Sequence, residues 1–134
     1  MLSSIKSSPL RAVLLVDSVT CLVMGAVLTA GSGLVATLTA LPPALLLYAG
    51  FALFPIAAFM VAVAAPATTW RPGVSLIVVG NVLWVVGSLW LMASGWIAPN
   101  ALGYAFITAQ AFAVAVLAAL EHVALRRVPI AVLA

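Results

Sequence analysis

Residues 18–70 read SVTCLVMGAVLTAGSGLVATLTALPPALLLYAGFALFPIAAFMVAVAAPATTW, a run of 53 positions without Asp, Glu, Lys, Arg or His. After Arg71, residues 72–120 form a second run of 49 positions with the same property. A membrane helix needs about 20 apolar residues, so each run holds two spans and a turn. The breakers fall where those turns are required. Gly31-Ser32-Gly33 and Pro42-Pro43 divide the first run, and Ser94-Gly95 and Pro99-Asn100 divide the second. Pro66, Pro72 and Gly73 flank Arg71 between the two runs.

Working outward, all 134 residues are 67% hydrophobic and 5% charged, with a mean hydropathy of +1.39. Soluble domains are about 45–50% apolar and about 25% charged. A chain this short has too little interior to hide that many apolar side chains from water. The composition excludes a soluble globular domain, a nucleic-acid-binding domain and a disordered tail. A membrane barrel needs alternating apolar and polar residues, and neither run alternates. The expected fold is all-α: a transmembrane four-helix bundle with antiparallel neighbours. It forms one domain over 1–134, with spans near 10–31, 42–64, 74–94 and 100–124.

The charges set an orientation. Lys6 and Arg11 precede the first span, Arg71 lies between the second and third, and Arg126 and Arg127 follow the fourth. All five positive charges fall on one side of a four-span topology, and the positive-inside rule makes that side, with both termini, cytoplasmic. The net charge of +3 speaks for lipid headgroups rather than nucleic acid. A cleaved signal peptide is not expected. Asp17 interrupts the apolar core early, and no small-x-small site follows at the right distance. Trp70 and Trp96 stand at predicted helix ends, as interfacial anchors do. Trp84 and Trp90 stand inside the third span and call for packing partners or lipid.

Small residues recur with a heptad spacing. Ser18, Gly25 and Ser32 in the first span are matched 62 positions later by Gly80, Gly87 and Ser94 in the third. Pro42-Pro43-Ala44-Leu45 and Pro99-Asn100-Ala101-Leu102 open the second and fourth. A duplicated two-helix hairpin explains both patterns; so does the general use of small residues for close helix contact. Seven residues make nearly two turns, so each triplet forms one stripe. The first and third spans are expected to approach along these stripes. Pro55 removes one backbone donor inside the second span and predicts a kink near Phe51.

The intramembrane polar candidates are Asp17, Asn81, Gln110, Glu121 and His122. Such groups are costly in lipid and point to function by default. Asp17 lies about 9 Å along the helix from Arg11 and needs a proton or a partner: Asn81, His122 or a basic side chain from the interface. Either it is a proton or cation site, or its hydrogen bond fixes helix register. Glu121 and His122 are expected near the interface, pairing with Arg71 or capping the helix end. Gln110 is expected to bond a neighbouring helix. One cysteine, Cys21, forms no internal disulfide or C-x-x-C pair, and a lone His122 gives no bis-His haem ligation. No metal-ligand cluster, phosphate loop or catalytic triad is present. An enzyme, a metal and a cofactor are therefore not expected.

These residues carry a resemblance. Leu14-Leu15-Val16-Asp17, Leu41-Pro42, Ala49-Gly50 with Pro55, Asn81-Val82-Leu83-Trp84-Val85, Pro99, Leu102-Gly103, Gln110-Ala111 and Leu120-Glu121 look like the pattern of a widespread set of short bacterial four-span membrane proteins without an assigned activity. The resemblance covers most of the chain. It implies a bacterial inner-membrane location and a shared pattern of Asp17, Asn81, Gln110 and Glu121. The chain is also similar in size and span number to the small multidrug-resistance transporters, which carry one membrane carboxylate in their first helix. It departs from them in having Asp rather than Glu, in a different local motif, and in its one-sided charge. Two functions follow as expectations. One is a non-catalytic accessory subunit or scaffold that contacts a membrane-protein partner. The other is a homodimeric proton-coupled small-molecule transporter using Asp17. The scarcity of polar steps favours the first.

Overall fold

The computed structural model describes residues 9–129, and Lys6 lies outside them. The chain folds into α1 (Pro9–Ala30), α2 (Ser32–Thr39), α3 (Pro43–Ala64), α4 (Arg71–Ser94) and α5 (Ala101–Arg127), with no strand among the described residues. The four long helices are 22, 22, 24 and 27 residues and apolar enough to cross a membrane. At 1.5 Å per residue the shortest is about 33 Å long, enough for a hydrocarbon core of about 30 Å. The protein is a multi-pass membrane protein with an all-α bundle fold.

The helix ends follow from local chemistry. Pro43 and Pro72 occupy first-turn positions of α3 and α4, where a missing N–H costs nothing. Gly95 closes α4 with a positive φ of 79°, a conformation that glycine adopts without strain. Asn100 caps α5, its side-chain oxygen accepting from the Gly103 N–H at 2.8 Å.

The segment after α1 differs from the sequence expectation. Gly31-Ser32-Gly33 reads as a turn, yet only Gly31 departs from helix. Its N–H still donates to Val27 O at 2.9 Å, and its carbonyl accepts from Val35 N at 2.9 Å. The backbone ladder bridges the interruption, so α2 carries on from α1 and ends at Ala40, whose φ of 57° makes a left-handed cap. α4 begins at Arg71 and α5 ends at Arg127, each three residues beyond the expected boundary. α3 runs through Pro55 as one helix.

Two hairpins make the bundle. α1 packs along α3, α4 packs along α5, and an α1–α5 seam joins the pairs, whereas α3 and α4 touch only lightly. The helices are apolar on all sides: Leu14 is 2% exposed and Val23 is 59% exposed on the same helix. Helices of this kind face protein on one side and lipid on the other.

The expected approach of the first and third spans along their stripes is not what the structure shows. Gly25 faces α3, where a Cβ would sit 3.2 Å from Gly50 O and 3.2 Å from the Phe54 ring. Ser18 donates to Ala57 O, also on α3, at 3.1 Å. For Gly80 and Gly87, nothing among the described residues beyond the adjoining backbone of α4 lies within 4 Å of a built Cβ. Ser32 and Ser94 are half-buried, and Ser94 bonds its own turn at Leu91 O, 3.0 Å. The stripe on α1 serves its sequence neighbour α3, because a short connection brings those two helices together first.

Both ends of the bundle are fastened. At the end bearing Arg11, Arg71, Arg126 and Arg127, Arg11 donates to Pro66 O at 2.6 Å and Arg71 to Val128 O at 3.3 Å. Trp70 meets Phe59 edge-on with ring centroids 6.3 Å apart. At the opposite end Asn100 clasps the other hairpin. Its backbone N–H donates to Thr39 O at 3.2 Å and its Nδ2 to Leu38 O at 2.9 Å. Asn100→Ala removes the cap and the side-chain half of the clasp, keeping the backbone N–H on Thr39 O, and is expected to destabilise the protein by about 1–2 kcal/mol. Thermal unfolding in a mild detergent checks this; an unchanged midpoint would show that the clasp carries no stability.

Candidate functional site

Three helices bring three polar side chains to one point inside the bundle. Asp17 on α1 is 2% exposed, Asn81 on α4 is 8% exposed and Glu121 on α5 is 0% exposed. The Asn81 Nδ2 donates to Asp17 Oδ2 at 2.8 Å and to Glu121 Oε1 at 2.8 Å. The amide NH2 offers two N–H donors from one uncharged nitrogen, one for each carboxyl group. Cys21, one turn above Asp17, sets its thiol 3.8 Å from Asp17 Oδ1. Glu121 Oε2 is buried and has no hydrogen-bond partner among the described residues.

Depth places this cluster well inside the membrane-spanning segments. Asp17 is eight residues from the start of α1, Asn81 ten from the start of α4, and Glu121 six from the end of α5. These are axial distances of about 12, 15 and 9 Å.

The expected interfacial position of Glu121 is corrected on two counts. The helix continues to Arg127, which sinks Glu121 about 4.5 Å deeper than a terminus at 124 implies. Arg71, its expected partner, is bonded to Val128 O. His122, one position further along, faces outward and is separate from Asp17. Residue type and span length carried the signals for Asp17 and Asn81. Glu121 belongs with them by its angular position, which the sequence does not show while the helix end is uncertain.

A second polar group lies further along α4 and α5. Trp84 Nε1 donates to Gln110 Oε1 at 2.7 Å. Gln110 Nε2 donates to Ser88 Oγ at 3.0 Å and to Ile107 O at 2.9 Å. Ser88 donates to Trp84 O at 2.7 Å. Trp84 thus has a specific partner, whereas Trp90 stacks edge-on against Trp96 at 5.0 Å near the helix end. Ser88 gives no signal in the sequence, being one small polar residue among many.

Where α3 and α4 diverge, a groove runs along the bundle in two parts. The lower cavity, about 460 Å³, is lined by Asp17, Cys21, Asn81, Phe59, Met60 and Trp84 among others. The upper one, about 470 Å³, is lined mainly by apolar side chains including Leu41, Leu45, Tyr48, Leu91 and Phe106. Both lie in the size range of small-molecule sites, which are mostly apolar with a few polar groups. Among the described residues no three His, Cys, Asp or Glu side chains converge as a metal site requires. Comparison of the chain with family models, curated proteins and solved structures finds no match.

Proposed function

We propose that this chain is a small proton-linked carrier of the bacterial inner membrane, with Asp17 and Glu121 as its proton site. The observation that carries this reading is one amide holding two buried carboxyl groups beside a ligand-sized cavity. A bond needed only to fix helix register requires one acid or none. A second buried acid adds desolvation cost without adding register. Two carboxyl groups on one donor instead make a site where a proton is held or released between the hairpins. Asp17 meets the cavity, Glu121 backs it, and Asn81 keeps them at fixed spacing. The one-sided positive charge supports cytoplasmic termini, which puts the cluster in the cytoplasmic half of the membrane. The resemblance to short four-span proteins supports the bacterial setting. No step in this reading is enzymatic and none uses a cofactor. A homodimer is its expected assembly.

The test is infrared difference spectroscopy of the reconstituted protein during pH titration. Wild type is expected to show one carboxylic-acid band that titrates and is lost in the double variant Asp17→Asn/Glu121→Gln, with the helical amide bands unchanged. A spectrum identical in wild type and double variant overturns the reading.

A second reading has its own support. α4 is the least covered of the four spans, with Val79, Leu83, Val86 and Trp90 exposed along it, as a helix that meets a separate membrane protein would be. Native mass spectrometry after purification from membranes distinguishes the two. A stoichiometric foreign partner supports an accessory subunit, and a homodimer alone supports the carrier.

A further inference from the structure

The two cavities share three lining residues: Met24 on α1, Trp84 on α4 and Gln110 on α5. We infer that the cavities are two chambers of one ligand path, and that Trp84, held by Gln110, is the partition between them. This inference rests on the carrier reading for its purpose, but its geometry stands apart from the proton site.

Three observations support it. The first is position: about a turn or more to either side of Trp84 the lining divides, Ile77 and Gly80 in the lower chamber, Gly87 and Leu91 in the upper. From Ile77 to Leu91 is about 21 Å along α4, most of a hydrocarbon core about 30 Å thick. Only a band around Trp84 interrupts that length. The second is chemistry. The indole is fastened by one hydrogen bond to Gln110, and Gln110 is fixed in turn by Ser88 and by its own helix. A single releasable bond to a braced partner suits a part that moves against a part that stays. The third is room. Gly80 and Gly87 lie one turn below and nearly one turn above Trp84 on α4, and neither has a neighbour within 4 Å among the described residues. The ring therefore has space to swing along its own helix. With the ring displaced, the carboxyl of Asp17 faces a continuous compartment reaching Leu41, near the end without basic residues. The ligand class is a compact, largely apolar molecule that fits one chamber at a time.

Cys21, the only cysteine in the chain, lines the lower chamber and serves as the reporter. The full-length protein is reconstituted, and its labelling by a charged, membrane-impermeant thiol reagent is timed separately from each face. In wild type, labelling from the face without basic residues is expected to be slow. Trp84→Ala is expected to raise that rate about tenfold, as when an open state rises from about 1% to about 10% of the population. Gln110→Leu, which keeps the volume but releases the indole, should raise it in the same direction. The combined variant should match Trp84→Ala, because both changes act on one barrier. From the arginine-bearing face the rate should not change. Val86→Ala, on the exposed face of α4, serves as a control and should label like wild type. Equal acceleration from both faces would show a loosened bundle and overturn the partition, as would an unchanged rate in Trp84→Ala. Neither result bears on the titrating carboxyl band, so the two proposals fail separately.

Discussion

Asn81→Leu is expected to be the most damaging single substitution in the bundle, costing about 3–5 kcal/mol of stability. The magnitude separates two descriptions of the cluster. A hydrogen bond between membrane helices contributes only about 0.6–2 kcal/mol. Losing that and no more would mean that the two carboxyl groups tolerate each other without the amide. The larger loss is expected because Asn81 bonds both Asp17 and Glu121, and its removal leaves two buried acids facing each other without the amide that satisfies both. The triple variant Asp17→Leu/Asn81→Leu/Glu121→Leu removes the whole group and should recover most of the lost stability, since apolar replacements of buried charged sets are often neutral or better. Thermal unfolding in detergent checks both. If the triple variant is no more stable than Asn81→Leu, the cost lies in packing rather than in the acids.

Gly50→Leu is expected to follow closely, at about 3 kcal/mol, the upper part of the range for overpacked cores. A Cβ at Gly50 already falls 2.8 Å from Thr29 Cγ2, 2.9 Å from Leu28 Cβ and 3.1 Å from Thr29 N. The last is backbone, so the α1–α3 pair has to separate rather than repack. Gly87→Leu is the contrast, because its added side chain meets open space. It should keep the unfolding midpoint within about 0.5 kcal/mol of wild type. Equal effects from the two substitutions would contradict the pairing of α1 with α3.

That contrast marks where the sequence runs out. Four spans and their turns were legible because lipid imposes long apolar runs and because Gly and Pro break them. The side on which the charges gather was legible for the same reason. Which faces meet was not, since a helix apolar on every side carries no stripe to mark its inner face. Small residues sit on several faces of α1 and α4, and only the packing distinguishes Gly25, pressed on Gly50, from Gly87, which faces open space. Asp17 and Asn81 stood out as costly groups at matched depth. Glu121 stood out as well, but its depth was hidden by a helix end placed three residues short, and α2 was hidden by a Gly-Ser-Gly sequence in which only Gly31 leaves the helix.

The acidic cluster draws its side chains from α1, α4 and α5 and none from α3. It therefore lies beside the α1–α5 seam, on the closed edge of the bundle, while the groove opens along the far edge between α3 and α4. Mechanically this is a short arm against a long one. If one hairpin turned against the other about that seam, geometry alone would make the displacement largest at the opposite edge, where α3 and α4 touch only lightly. Away from the seam the two hairpins are tied at one end by the loop 65–70 and at the other by the Asn100 clasp, so the long arm is held at its two ends and open between them.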